Sequence, residues 1–195
     1  MPKFTELESF MQLLHAVQKV QRVARVPDEK QYRNTAEHTF ELAMVCWYIA
    51  TTNKLALDQE KILKYALAHD LIEAYAGDTF INDTQARKDK VLREETALVQ
   101  LTENFQEFPE LIEIIHSYEE KADVESVFVY ATDKLIDPLN ASMEKTQSIW
   151  KDNNMTYVDL REYKDPKIAL SKDIQPYWEE LCKKLEANKD FFFNE

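Results

Sequence analysis

The sequence predicts an all-α protein, a single bundle of about seven helices, and three observations carry that expectation. One glycine and six prolines in 195 residues leave little material for tight hairpins. Apolar residues recur at helical spacing along most of the chain. No glycine-serine linker, low-complexity tract or internal repeat marks a boundary, so residues 1–195 read as one domain.

Each element has its own signature. Between residues 4 and 23 the stripe Phe10, Leu13, Leu14, Val17, Val20 forms a first helix, which Pro27 stops. Thr35 is the expected N-cap of a second, whose stripe Leu42, Val45, Ile49 continues to about Asn53. Asp58 caps a third through Ile62, Leu63, Ala66, Leu67, Leu71 and Ile72, ended by Gly77, the sole glycine. Further helices are expected at 88–105, 109–120, 123–151 and 166–189, with Pro109 and Pro166 in first turns. The charged stretch 151–167 reads as a long loop, and the Phe191-Phe192-Phe193 tail as packing back on its own body.

Charge and cysteine usage narrow the function classes. With 24 Lys+Arg against 36 Asp+Glu the net charge is −12, which argues against gripping long nucleic acid, whose affinity comes largely from cations displacing counterions. A small phosphorylated ligand stays open if positive charge is supplied locally. Cys46 and Cys182 lack Cys-x-x-Cys spacing and read as reduced packing residues, hence a cytoplasmic address. No apolar run approaches a signal peptide or membrane span.

The chemistry concentrates on few residues. His69 and Asp70 are adjacent within the apolar run Leu67 to Ile72, where a carboxylate needs a compensating partner. His38 keeps the spacing of the second helix's stripe, and Asp133 is an acid inside the apolar run Val127 to Ile136. Two imidazoles and two carboxylates make a mixed N/O site suited to a divalent ion with open positions. His15 and His116 read as hydrogen-bonded core histidines. Asp137, four residues after Asp133, can line the same pocket, but preceding Pro138 it reads rather as part of a helix kink. Tyr118, Trp47, Trp150 and Trp178 read as core or rim packing.

Ala36-Glu37-His38-Thr39, Ala68-His69-Asp70-Leu71-Ile72-Glu73-Ala74 running into Gly77-Asp78, and Asp133-Lys134-Leu135, with Arg25-Val26-Pro27 upstream, resemble the HD-domain metal-dependent phosphohydrolases. Within that family the likeness is to the bacterial 5′-deoxynucleotidases, and more loosely to a biosynthetic phosphohydrolase of the oxetanocin type. The resemblance implies a single HD domain, with His38, His69, Asp70 and Asp133 as ligands of one divalent ion, be it cobalt, manganese, magnesium, iron or zinc. It implies Glu73 and Asp78 as the catalytic acidic pair, their individual roles unassigned, and Arg25 as a phosphate-binding residue. Arg33 is a further substrate-binding candidate; Arg87, Lys88, Lys90 and Lys134 are basic residues near the motifs, and for each a solvated surface charge is an equal reading. Val26 stands where the deoxynucleotidases have a tryptophan, which hints at a roomier pocket.

The expected activity is removal of phosphate from nucleoside 5′-mono-, di- or triphosphates, deoxyadenosine-like substrates favoured, by attack of a metal-bound water. A non-catalytic nucleotide-binding module is the alternative. A di-iron oxygenase of the same scaffold is disfavoured, because only His116 lies between Asp70 and Asp133. The expected partner is a small nucleotide, with neither long nucleic acid nor membrane, and the resemblance alone suggests a homodimer.

Overall fold

The computed structural model describes residues 3–25, 31–79, 88–143, 149–188, 190 and 192–193. The chain runs α1 (Phe4–Val17), β1 (Gln21–Arg25), β2 (Tyr32–Asn34), α2 (Thr35–Thr52), α3 (Gln59–Ala68), α4 (Glu73–Ala76), α5 (Lys90–Asn104), α6 (Pro109–Glu120), α7 (Val124–Ala141), α8 (Ile149–Asp152), α9 (Tyr157–Ile168) and α10 (Gln175–Glu186). The mostly helical character is as expected. The count is not: ten helical segments occur among the described residues, α4 and α8 being single turns, beside a small antiparallel hairpin.

The hairpin replaces the expected end of the first helix. α1 stops at Val17, and β1 pairs with β2 so that Gln21 faces Asn34 and Arg25 faces Tyr32. The Arg25 guanidinium lies 5.4 Å from the Tyr32 ring centroid, a cross-strand contact that holds the pair in register. Pro27 lies outside the described residues. The cap of α2 is Asn34 rather than Thr35: its side chain accepts from the Glu37 amide, and the Glu37 carboxylate accepts from the Asn34 amide at 2.9 Å.

Asp58 caps α3 as expected, but that helix ends at Ala68. Tight turns follow, Leu71 N–H to Ala68 O at 3.1 Å and Glu73 N–H to Asp70 O at 3.0 Å, before α4 begins. Gly77 ends α4 with φ +72°, a backbone angle that would strain any residue bearing a Cβ. α7 runs through Pro138 and stops at Ala141, short of the expected 151.

Much of 151–167, expected as a loop, is helix. Thr156 and Asp159 form a capping box for α9, and Pro166 sits near its end; Pro176 takes the first-turn place in α10. The buried positions of α9 are Leu160, Lys164 and Ile168, a regular i, i+4, i+8 stripe with a lysine at its centre. An apolar pattern interrupted by a charge is invisible to periodicity.

Two apolar clusters form the core. One joins α2, α3, α7, α9 and α10 around Leu42, Tyr65, Phe128, Ile168 and Leu185; the other joins α1, α5, α6 and the turn after α3 around Val17, Leu71, Leu101 and Ile115. Cys46 and Cys182 are buried and unpaired in the first cluster. Phe192 stacks on Trp150 with centroids 4.6 Å apart, and the Phe193 amide donates to Met155 O, so the tail packs on its own body; Phe191 lies outside the described residues. Trp150, Trp178 and Tyr118 are buried whereas Trp47 is half exposed. His15 and His116 are exposed, not core residues, because each points off its helix away from the apolar stripe. No helix among the described residues is long and apolar enough to cross a membrane.

Candidate metal centre and active-site cavity

α2, α3 and α7 pack against one another, and each delivers one buried group to their junction. His38 comes from the first turn of α2, His69 from the C-cap of α3, and Asp133 from the middle of α7; one ligand atom from each lies within 4.8 Å of the others. The His38 Nε2 atom is 3.0 Å from Asp133 Oδ1. His69 Nδ1 lies 2.9 Å from the Ala66 carbonyl oxygen, so it bears the proton and donates, leaving Nε2 with a lone pair. That Nε2 is buried and, among the described residues, makes no well-aligned hydrogen bond, its near neighbour being Asp70 Oδ2 at 2.9 Å. A buried lone pair facing a second imidazole and a carboxylate fits a divalent cation.

Asp70 follows His69 in the turn after α3, not in an unbroken helix, and that break brings both side chains to one place. Its Oδ2 is 2.9 Å from His69 Nε2 and 3.8 Å from His38 Nε2. Burial pushes the Asp70 carboxyl up, but His69, Arg22 and His38 outweigh it and hold it well below the usual range. Asp133 is likewise held low against burial, by Lys134 and His38. Both are therefore anionic, as ligation requires.

Glu73 and Asp78 go the other way. Burial, reinforced by the Asp70 carboxylate, pushes Glu73 up to about 8, and Thr35 Oγ1 donates to its Oε2 at 2.8 Å. Burial, with Asp70 and Asp137 nearby, also raises Asp78. Acids kept off the low end of their range beside two held anionic are able to take up and give back a proton near neutral pH. Both line, with His69, Asp70 and Asp133, a cavity of about 350 Å³.

The cations are arranged differently from the sequence reading. Arg25 lines the cavity and pairs with Asp152 at 3.0 Å. Arg33 is 1% exposed and does not line that cavity; its guanidinium bonds to Glu41 and, at 2.7 Å, to Asp137. Asp137 lines the cavity and accepts from both Arg33 and Arg22, which makes it an ionic hub rather than part of a kink. Arg22, which the sequence reading passed over, donates to Asp70 Oδ2 at 2.9 Å and lies 3.8 Å from Glu73. The signal for it is charge balance: Asp70, Glu73, Asp78, Asp133 and Asp137 in one pocket need cations, and Arg22 lies three residues before Arg25. Lys134 and Lys90 line the wall, Lys88 is exposed, and Arg87 and Val26 lie outside the described residues. Tyr163, Lys164 and Lys167 of α9 complete the wall, hidden from sequence by the loop assignment.

A family model described as HD domain matches residues 14–175 of this chain. Over 140 residues the chain is 29% identical to the 5′-deoxynucleotidase HDDC2 of Bos taurus, covering 69% of this chain and 67% of that protein. The human 5′-deoxynucleotidase HDDC2 is 28% identical over the same shares. Among solved structures, a predicted metal-dependent phosphohydrolase from Magnetospirillum magnetotacticum superposes with a TM-score of 0.82 over the whole of both chains, at 24% identity. The PH0347 protein from Pyrococcus horikoshii superposes with a TM-score of 0.66 over 91% of this chain and 99% of that one, at 22% identity. At such identities the two structures speak for the fold.

Proposed function

The chain belongs to the HD-domain family, and on that premise we propose that it is a metal-dependent phosphohydrolase of nucleoside 5′-phosphates. The observation that carries the reading is the convergence of His38, His69 and Asp133 at one point, with His69 and Asp133 opening on the cavity that the raised pair Glu73 and Asp78 also lines. A binding module has no need of two acids tuned for proton transfer beside a ligand set.

His38, His69, Asp70 and Asp133 would hold one divalent ion, cobalt, manganese, magnesium, iron or zinc. Such an ion supplies Lewis-acid polarisation of a phosphoryl oxygen and lowers the pKa of a nearby water. Arg22 takes up charge that spreads over the phosphoryl oxygens, since its buried Nε has no hydrogen-bond partner among the described residues while its Nη atoms are anchored by Asp70 and Asp137. Glu73 and Asp78 move a proton from the attacking water to the leaving oxygen, the 5′ oxygen of a monophosphate or the bridging oxygen of a longer chain. Arg25 faces substrate from the rim; Arg33 braces Asp137 from behind. Trp150, Met155 and Leu160 give the cavity apolar lining, suited to a sugar and base.

Mono-, di- and triphosphates of a deoxyadenosine-like nucleoside are the proposed substrates; the deoxynucleotidase names of the relatives support the deoxy sugar and the 5′ position. The buried free thiols support a reducing, cytoplasmic address, and a homodimer, suggested by resemblance, is tested by light scattering. The test of function is phosphate release from a nucleotide panel by metal-stripped protein given cobalt, manganese or magnesium. Release that needs both metal and His69 is expected; none from any nucleotide under any metal would overturn the reading.

A further inference from the structure

One buried cation of the cavity stands outside the ion pairs found among the described residues. Lys164, on the buried stripe of α9, is 9% exposed and lines the cavity wall. Among the described residues its ammonium has neither a hydrogen-bond nor an ion-pair partner; the Tyr163 ring, 5.8 Å away, is its nearest aromatic contact. The acid that influences it most, Asp137, is already engaged by Arg33 at 2.7 Å and Arg22 at 3.4 Å. Arg22, by contrast, is balanced by Asp70, Glu73 and Asp137. Burial depresses Lys164 to about 8 against the pull of Asp137, so the ammonium is held in the wall at a solvation cost that no hydrogen bond among the described residues offsets.

Its neighbours on the same face extend the pattern. Leu160, Tyr163, Lys164 and Lys167 recur at i, i+3, i+4 and i+7, and all four line the cavity. Lys167 rests against the Tyr163 ring, its ammonium 2.8 Å from the centroid. Three residues of helical rise separate the two lysines by ~4.5 Å along the axis, a spacing suited to a ligand with more than one anionic group.

We propose that Lys164, seconded by Lys167, forms a subsite for an anionic phosphate group other than the one hydrolysed, making α9 the element that selects substrates with two or more phosphates. The inference rests on the phosphohydrolase reading of the cavity. A −12 chain repels every added phosphate unless a cation meets it inside, and Lys164 is placed to do so.

The test is calorimetric binding of inorganic pyrophosphate and, separately, orthophosphate to the full chain, with no turnover involved. Lys164→Met should weaken pyrophosphate binding roughly ten- to a hundredfold, the scale of a lost charge-assisted hydrogen bond. That loss should exceed the loss for orthophosphate by about tenfold, while Lys164→Arg stays within about threefold of wild type. If Lys164→Met loses its helical circular dichroism, Lys167→Met at a half-buried position serves instead, with a smaller loss in the same direction. Equal losses for both anions, or none, overturn the subsite. Pyrophosphate binding that depends on Lys164 in a protein hydrolysing no nucleotide would sink the proposed function and leave the subsite standing; nucleotide hydrolysis with binding indifferent to Lys164 would do the reverse.

Discussion

The ring of His69 is pinned by Ala66: Nδ1 sits 2.9 Å from that carbonyl oxygen, at the end of α3, and the contact aims Nε2 toward His38 and Asp133. A preset tautomer removes part of the ordering cost of ligation. Purified protein is therefore expected to carry about one divalent ion per chain, and His69→Ala or Asp133→Ala to lose it. Elemental analysis of dialysed samples checks this. Full metal content in both variants would place the ion elsewhere.

Glu73 and Asp78 line the cavity without joining the three-residue cluster. Glu73→Gln and Asp78→Asn should retain metal while turnover falls by roughly two to four orders of magnitude. Steady-state rates beside metal analysis separate the two effects. Metal loss in both variants would make these acids ligands instead.

Arg33 is buried against Glu41 and Asp137, and tethers β2 to α2 and α7. Arg33→Met removes the cation that Glu41 and Asp137 share, leaving Glu41 to Asn140 and Asp137 to Arg22, at an expected cost of about 3 kcal/mol. Urea denaturation measures it. A change under about 0.5 kcal/mol, the range of ordinary surface substitutions, would mean the clamp contributes little.

The metal-free protein should lose stability as pH rises from about 5.5 to 7.5. Glu73 and His69 both bind protons more tightly folded than unfolded, so their contribution is complete below their ordinary values and is lost as pH climbs through the folded ones, about 8 for Glu73. Burial opposes the rise at His69, and the Asp70 carboxylate overcomes it. Asp70 and Asp133, held low, matter only in more acidic solution, and Lys164, depressed to about 8, opposes the trend only above that. Melting temperatures in chelator should fall across the window, and less steeply in Glu73→Gln. A rise with pH would contradict the assigned shifts.

Much of the helical frame is legible in the chain, because caps and stripes are local. Asp58, Pro109 and the Leu42-Val45-Ile49 stripe mark their elements without reference to anything distant. Where local signals mislead, long-range partners decide. Residues 21–23 fall inside the expected first helix but belong to a strand that pairs with 32–34, and the charged stretch 151–167 reads as a loop until a cavity accounts for Lys164.

The site divides along the same line. By itself the sequence determined which residue types are out of place: His69-Asp70 and Asp133 stand in apolar runs, a cost visible without coordinates. It was silent on which cations answer them, since an arginine has the same letter whether it braces a carboxylate or faces a substrate. Only the tertiary structure sent Arg33 behind Asp137, brought Arg22 to Asp70 and left Lys164 unmatched, because ion pairing depends on distance across helices far apart in sequence.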